Sequence, residues 1–235
     1  MAENQDDKPQ GPWLAQIGFA VLAGLAVYGF VDMAKHAEVR RACEPLVQLR
    51  PQYMGHDRSA PDFDLPAYGG GRVKLSDYAG KIVVLDFWAT WCGPCKASLP
   101  HTQEVAAKYK DQGVVVLASC TNDPRKSFEE WLQNNQGDYP DIVFSHDAAE
   151  KSPERASRKL YGVAGIPMQF IIGRDGKVAA IVEGYMAGEV LLEGALARAG
   201  VKIDAATLEK ATEDQKKRDA RAGKASGMKS IPAQP

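Results

Sequence analysis

The sequence contains little cysteine and almost no net charge, and each scarcity excludes a class of protein. Four cysteines in 235 residues, Cys43, Cys92, Cys95 and Cys120, are too few for a fold built on disulfide bonds. A net charge of −1 without a basic stripe excludes the electrostatic signature of a nucleic-acid-binding protein. The sequence also lacks internal repeats. An apolar core must therefore carry the fold, and the cysteines are best understood as reactive groups or as a single cross-link.

One long apolar run is present, at residues 13–31, and it contains no charged residue over 19 positions. At ~1.5 Å per residue, a helix of this length spans roughly the ~30 Å hydrocarbon layer of a bilayer. A cleaved signal peptide is the alternative. However, the run exceeds the usual ~7–15 residues, and the segment before it is acidic rather than basic. We predict an uncleaved transmembrane anchor at residues 13–31, preceded by a short tail at residues 1–12.

The charges that flank this anchor do not settle its orientation. Counted simply, the positive-inside rule would place the C-terminal part of the chain in the cytoplasm. The rule is weak for long translocated segments, and about 200 residues follow the anchor. The flanking basic residues are Lys8 before the anchor and Lys35, Arg40, Arg41 and Arg50 after it.

The remainder of the chain predicts one α/β domain at residues 60–203, joined to the anchor by a juxtamembrane connector at residues 32–59. Nearly continuous apolar runs at residues 82–87 and 114–120 are typical of strands covered on both faces. Helical segments alternate with these strands, and a hairpin closes the domain. This order indicates a central mixed β-sheet flanked by helices.

Two extensions flank the predicted sheet. An N-terminal β-hairpin is expected around Gly69-Gly70-Gly71, between two short strand-like segments. At the other end, residues 204–235 are highly charged and poor in aromatic residues. A segment of this composition cannot bury enough apolar surface to fold by itself, so we predict a disordered tail.

The sequence Cys92-Gly93-Pro94-Cys95 stands at the predicted start of a helix. Side chains three residues apart share one helix face, so the two sulfurs can close a small disulfide ring. Unpaired N–H groups and the helix dipole favour a thiolate at the first position, which makes Cys92 the candidate nucleophile. Cys95 lies one turn deeper and is the candidate resolving thiol. Pro94 removes an N–H group where the helix does not need it.

A metal site and a purely structural role are the alternatives for this cysteine pair, and both are weaker. A C-x-x-C sequence can be half of a zinc site, but the chain contains no second C-x-x-C and no H-x₃₋₅-H sequence. Cys43 and Cys120 are too isolated to complete such a site, and we predict no metal. The pair could instead be two buried structural cysteines, an alternative that the surrounding sequence disfavours.

That surrounding sequence, DFWATWCGPCKASLP at residues 86–100, closely resembles the thioredoxin superfamily. In that superfamily the motif W-C-G-P-C-K follows D-F-W-A and precedes a helix kinked at a proline. A second match is Tyr161-Gly162-Val163 followed by Gly165-Ile166-Pro167. The resemblance implies a thioredoxin-like fold in which Pro167 is cis and lies against the disulfide. The residues expected from it to contact substrate are Trp91, Gly93, Pro94, Ile166 and Pro167.

Within the superfamily, residues 60–95 look like the TlpA/ResA branch, whose members are anchored to the bacterial inner membrane with the domain outside the cytoplasm. The branch implies a reductase that needs no dissociable cofactor. Its electrons would come from a membrane thiol transporter and pass to disulfides in exported proteins, such as apocytochrome c or copper-assembly factors. Met168 departs from the threonine that usually follows the proline, and we expect it to alter substrate contact.

Asp86 lies inside the apolar run at residues 82–87, where a carboxyl group is costly to ionise and should titrate at raised pH. The resemblance places it on the buried aspartate that helps to deprotonate the second cysteine in thioredoxins. An exposed aspartate at the strand end is the alternative.

The two remaining cysteines leave a further question open. In an oxidising compartment Cys43 and Cys120 could form a structural disulfide, although Cys120 could equally be a small buried residue at the end of a strand.

Two other functions compete with disulfide exchange. Residues 60–90 also resemble peroxiredoxins, but those enzymes carry threonine three residues before the reactive cysteine. Ala89 occupies that position here, and Trp91 directly precedes Cys92. The second alternative is a Cu(I)-binding chaperone, because soft thiolates suit Cu(I) and Met168 could lie nearby.

Overall fold

A computed structural model describes residues 59–147 and 151–227 of the chain. The predicted anchor, most of the connector and Cys43 lie outside the described residues. Within the described part, no helix is long and apolar enough to cross a membrane. The strands are β1 (Asp64–Pro66), β2 (Arg72–Lys74), β3 (Ile82–Trp88), β4 (Val114–Cys120), β5 (Ile142–His146), β6 (Met168–Ile172) and β7 (Val178–Glu183). The α-helices are α1 (Gly93–Tyr109), α2 (Arg125–Asn135), α3 (Ala156–Lys159), α4 (Leu191–Arg198) and α5 (Ala205–Gly227).

Five of these strands form the central sheet, in the order β5-β4-β3-β6-β7. Strand β3 pairs parallel with β4 and antiparallel with β6, so the sheet is mixed, as predicted. All seven residues of β3 are buried, because the sheet is covered on both faces. Its side chains alternate between two apolar clusters: Leu85 and Phe87 belong to one, Val84 and Trp88 to the other. Cys95 belongs to the cluster of Val84 and Trp88.

The predicted N-terminal hairpin is confirmed. Strands β1 and β2 pair antiparallel, with Leu65 opposite Val73. Both side chains are buried in the apolar cluster that contains Leu85 and Phe87. The hydroxyl group of Tyr161 donates a hydrogen bond to the carbonyl oxygen of Pro61 at 2.5 Å, which fixes the entry to the hairpin against the domain. The hairpin therefore covers the face of the sheet opposite Cys95.

The expected disorder of residues 204–235 is wrong for residues 205–227, which form helix α5. Asp204 caps this helix by accepting a hydrogen bond from the backbone N–H of Thr207 at 2.9 Å. Asp214 accepts a hydrogen bond from the backbone N–H of Val190 at 3.2 Å, and Arg218 pairs with Glu189 at 2.5 Å. The helix is thus held by polar contacts to the loop between β7 and α4, contacts that the composition of the segment does not reveal.

Candidate functional site

The redox centre lies where β3 ends and α1 begins. The sulfurs of Cys92 and Cys95 form a disulfide of 2.02 Å, and their Cα atoms are 5.3 Å apart. Cys92 is the N-cap of α1, and its sulfur accepts a hydrogen bond from the backbone N–H of Cys95 at 3.2 Å. Cys92 is 5% exposed and Cys95 is fully buried. A partner can therefore reach the sulfur of Cys92 but not that of Cys95.

A second segment, 74 residues further along the chain, forms the wall beside Cys92. The Ile166–Pro167 peptide bond is cis, as the family resemblance implies. The carbonyl oxygen of Ile166 lies 3.8 Å from the Cys92 sulfur. The segment before β6 thus meets the start of α1, and it places Ile166, the residue before the cis proline, next to the disulfide.

A groove of about 210 Å³ adjoins this wall. Trp91 lines it and is 59% exposed, an unusual exposure for so large an apolar side chain. Its indole N–H donates a hydrogen bond to the carbonyl oxygen of Asn122 at 3.0 Å, which fixes the ring beside Cys92. Arg155 also lines the groove and donates to the Asn122 side-chain oxygen at 2.9 Å. Gly93 and Pro94 are exposed at the same surface.

Asp86 is fully buried, which excludes the alternative of an exposed strand end. Its neighbour across the sheet is Gln169, which stands directly opposite it in the pairing of β3 with β6. The Gln169 amide donates to Asp86 Oδ2 at 3.1 Å, whereas Asp86 Oδ1 has no hydrogen-bond partner among the described groups. Burial raises the pKa of Asp86 from 3.8 to about 6, and the bond from Gln169 opposes this rise. The predicted rise in pKa is confirmed.

Cys120 ends β4 as a fully buried, free thiol. Its sulfur donates a hydrogen bond to Asp123 Oδ2 at 3.5 Å, and the same carboxylate oxygen accepts from the backbone N–H of Thr90 at 2.6 Å. Burial, and next the charge of Asp123, raise the pKa of Cys120, so its thiolate is strongly disfavoured. Cys43 lies outside the described residues. The possible structural disulfide between Cys43 and Cys120 therefore stays a prediction.

The expectation that Met168 alters substrate contact is wrong. Met168 stands opposite Phe87 in the pairing of β3 with β6, one position away from the pair of Asp86 and Gln169. Because side chains alternate along a strand, its thioether enters the apolar cluster of Leu85 and Phe87. It is 4% exposed and lies on the face of the sheet opposite Cys95.

A disulfide between a reachable and a buried cysteine, on a thioredoxin-like sheet and beside a cis proline, defines a thiol–disulfide oxidoreductase. The family model for the AhpC/TSA family matches residues 57–181, more than half of the chain, and the chain belongs to this family. The match covers the hairpin, the Cys92–Cys95 pair and the cis-proline segment. Helix α5 lies beyond it.

The names of similar proteins and solved structures agree with this class. The chain is 34% identical over 131 residues to the thiol-disulfide oxidoreductase ResA of Geobacillus thermodenitrificans, covering 56% of this chain and 71% of the relative. It is 32% identical over 136 residues to ResA of Bacillus cereus, covering 58% and 74%. Among solved structures, a thiol:disulfide interchange protein DsbE from Chlorobium tepidum superposes with a TM-score of 0.52 at 36% identity, covering 63% of this chain and 99% of that one.

Sequence reasoning missed three residues of the site: Gln169, Asn122 and Arg155. Asn122 was detectable in principle, since asparagine is among the residues that tolerate a positive φ, and its φ is 56°. Gln169 interrupts the apolar strand β6 with a polar side chain, the same signal that identified Asp86 in β3. Arg155 carries no such signal, because a charged residue in a polar loop is usually solvated.

Proposed function

We propose that this protein is a membrane-tethered reductase of disulfides in exported proteins, acting through Cys92 as nucleophile and Cys95 as resolving thiol. The observation that carries the proposal is the difference in burial between the two cysteines: Cys92, beside the carbonyl oxygen of Ile166, is 5% exposed, whereas Cys95, in the first turn of α1, is fully buried. A bulky disulfide substrate can form a bond only with the sulfur that it can reach. The exposed Trp91 and the cis-proline wall then bound the surface on which such a substrate would lie.

The reaction follows from these positions. In the reduced enzyme the Cys92 thiolate attacks one sulfur of the substrate disulfide; a mixed disulfide forms and the other substrate sulfur leaves as a thiolate. Cys95 then loses its proton to Asp86 and attacks the Cys92 sulfur, which releases the second substrate thiolate. Two electrons pass to the substrate, and the enzyme is left with the Cys92–Cys95 disulfide. A membrane thiol transporter would return it to the dithiol.

The position of Asp86 supports its role as proton acceptor. It lies on the face of β3 that packs against the cluster containing Cys95. Thr102, seven residues after Cys95 and so on the same face of α1, is linked to Asp86 through the amide of Gln169. With a pKa of about 6, Asp86 is ionised at neutral pH and is near the basicity that suits a general base there.

The two competing functions have less support. Ala89 and Trp91 stand where a peroxidatic site would need different residues, and the relatives described above are named for disulfide exchange. A Cu(I) chaperone would gain from a nearby thioether, but Met168 lies on the opposite face of the sheet. Titration of the dithiol form with Cu(I) discriminates between the two uses of the thiolates. Tight one-to-one binding without disulfide exchange would favour the chaperone.

The decisive experiment traps the mixed disulfide in the native membrane. Without a resolving thiol the intermediate cannot collapse, so Cys95→Ser should accumulate covalent complexes on non-reducing gels, and mass spectrometry should identify exported cytochrome or copper-assembly proteins in them. Cys92→Ser is the matched control and should accumulate almost none. Complexes with Cys92→Ser alone would reverse the two roles, and complexes with neither would contradict dithiol exchange.

Anchoring and sidedness belong to the same proposal and rest on residues 13–31 and on the resemblance to the TlpA/ResA branch. Protease added to intact spheroplasts should digest the domain that contains Cys92. Digestion only after lysis of the inner membrane would place this domain in the cytoplasm, in agreement with the simple count of basic residues.

A further inference from the structure

The side chain of Gln169 connects the buried carboxyl group to helix α1. Its amide nitrogen donates to Asp86 Oδ2 at 3.1 Å and to Thr102 Oγ1 at 3.2 Å, so both amide protons are used. The Gln169 residue is 6% exposed. An amide held by two acceptors on two different elements has little rotational freedom. The Gln169 amide therefore holds the carboxyl group of Asp86 through Oδ2 in one orientation.

The two carboxyl oxygens of Asp86 are left in different situations. Oδ2 is occupied by Gln169, and Oδ1 is buried without a hydrogen-bond partner among the described groups. An unpartnered buried oxygen is costly in a folded protein and requires a physical reason. A proton acceptor that must be free when Cys95 is reduced provides one.

Few charged groups surround this arrangement. Cys95 of α1 belongs to the apolar cluster on the same face of β3 as Asp86, and the amide of Gln169 comes from β6. Behind Gln169 and Thr102 lies a cleft of about 20 Å³, large enough for one water molecule, which is also lined by His101 on α1. His101 pairs with Glu193 of α4 at 2.9 Å. Burial and the Gln169 bond, rather than these charges, set the pKa of Asp86.

Glu189 and Arg218 also line the cleft, and they pair with each other at 2.5 Å. Each of these two carboxylates thus has a partner of its own, His101 for Glu193 and Arg218 for Glu189. Gln169 remains the polar group that contacts the carboxylate of Asp86 directly.

We propose that Gln169 is a positioning residue for the resolving step: it holds Asp86 through Oδ2, so that Oδ1 is left to accept the proton of Cys95. This inference rests on the proposed function, in which Asp86 is the acceptor. The proton moves from the Cys95 sulfur to Asp86 Oδ1. The electron pair left on that sulfur forms the bond to Cys92, and the substrate sulfur departs as a thiolate.

Loss of the amide donor should raise the pKa of Asp86, because the hydrogen bond stabilises the ionised form. The carboxyl group would then be ionised only at higher pH. A hydrogen bond to a charged group is worth enough to shift a pKa by about one to two units. From a starting value of about 6, Gln169→Leu should raise the pKa of Asp86 to between ~7 and ~8. The ionised fraction at pH 7 would then fall by roughly 2- to 10-fold.

The experiment follows the ionisation of Asp86 in two independent ways on the full-length protein. Difference infrared spectroscopy of the oxidised form, with the Asp86→Asn variant as the spectral reference, follows the carboxyl group of Asp86 directly as the pH is varied. Single-turnover kinetics that start from the dithiol form and a small-molecule disulfide follow the resolving step, because the mixed disulfide at Cys92 forms first and Cys95 then releases the second thiol. We expect Gln169→Leu to slow resolution by roughly 2- to 10-fold at pH 7, with recovery near pH 9.

Two further variants separate positioning from packing. Thr102→Val removes the second acceptor of the amide at constant shape, and it should shift the pH midpoint in the same direction by less. In an Asp86→Asn background, Gln169→Leu should leave the pH profile unchanged, because the group on which it acts is absent. If Gln169→Leu does not fold, the Thr102→Val shift and its absence in the Asp86→Asn background still decide the matter.

An unmoved infrared midpoint or an unmoved pH profile in Gln169→Leu would overturn the proposal, as would an equal shift in the Asp86→Asn background. None of these outcomes bears on the trapping of substrates by Cys95→Ser. Failure of the positioning role is therefore distinguishable from failure of the exchange reaction.

Discussion

Asp86→Asn should remove a pH dependence from the stability of the oxidised protein. The carboxyl group is fully buried, and its pKa rises from 3.8 to about 6 on folding. Between these two values the folded protein binds a proton that the unfolded chain has released, so the stability falls as the pH rises. Above pH 6 the full penalty for holding a buried carboxylate is present. Below about pH 4 both states are protonated and the penalty vanishes.

The magnitude follows from the shift of about two pKa units. At ~1.4 kcal/mol per unit, the wild-type protein should lose about 3 kcal/mol of stability between pH 4 and pH 8 that the asparagine variant retains. The variant also carries a constant cost, because its amide places a polar group where Asp86 Oδ1 has no hydrogen-bond partner within the described part of the chain. The informative quantity is therefore the change in the difference between the two proteins with pH, and not its value at one pH.

Urea denaturation of the oxidised proteins at several pH values between 4 and 8 provides this difference. Asp77→Asn, which removes an exposed carboxylate at the domain surface, is the matched control. The free-energy difference between Asp86→Asn and wild type should grow in favour of the variant by about 3 kcal/mol across the range. Stability curves that stay parallel within ~0.5 kcal/mol would refute the reasoning, because a group with a shifted pKa cannot leave stability independent of pH.

Three further predictions concern other parts of the molecule. Arg218→Met leaves the carboxylate of Glu189, 11% exposed, without its partner and should lower the free energy of unfolding by about 1–3 kcal/mol in urea denaturation, whereas Lys217→Met, at an exposed ion pair, should change it by less than ~0.5 kcal/mol. Equal losses would show that α5 is not held through Arg218. Cys120 should resist alkylation in the native protein and react after denaturation without reductant; a requirement for reductant would reveal a disulfide. The reduction potential of the active-site pair should lie nearer about −270 mV than about −180 mV, and a more oxidising value would indicate an oxidase or isomerase.

Much of the fold could be predicted because its signals are local. A continuous apolar run identified β3, a glycine triplet identified the hairpin, and the cysteine spacing placed the redox pair at the start of a helix. The error at residues 205–227 has an equally physical origin. Low hydrophobicity predicts disorder for an isolated segment, but α5 buries Ala211 completely and contacts the neighbouring loop through charged side chains. Composition cannot reveal a partner that is supplied by another part of the chain.

The sequence by itself determined the chemistry of the centre, because Cys92, Pro94 and Cys95 act through one turn of one helix, whose geometry is set by local rules. Only the tertiary structure decided which groups control that chemistry. The register of β3 against β6 places Gln169 opposite Asp86 and sends Met168 to the other face; a slip of one residue would exchange the two. The same packing brings Ile166 to 3.8 Å from the Cys92 sulfur across 74 residues. Such contacts depend on how separate elements meet, and that is a property of the whole folded chain.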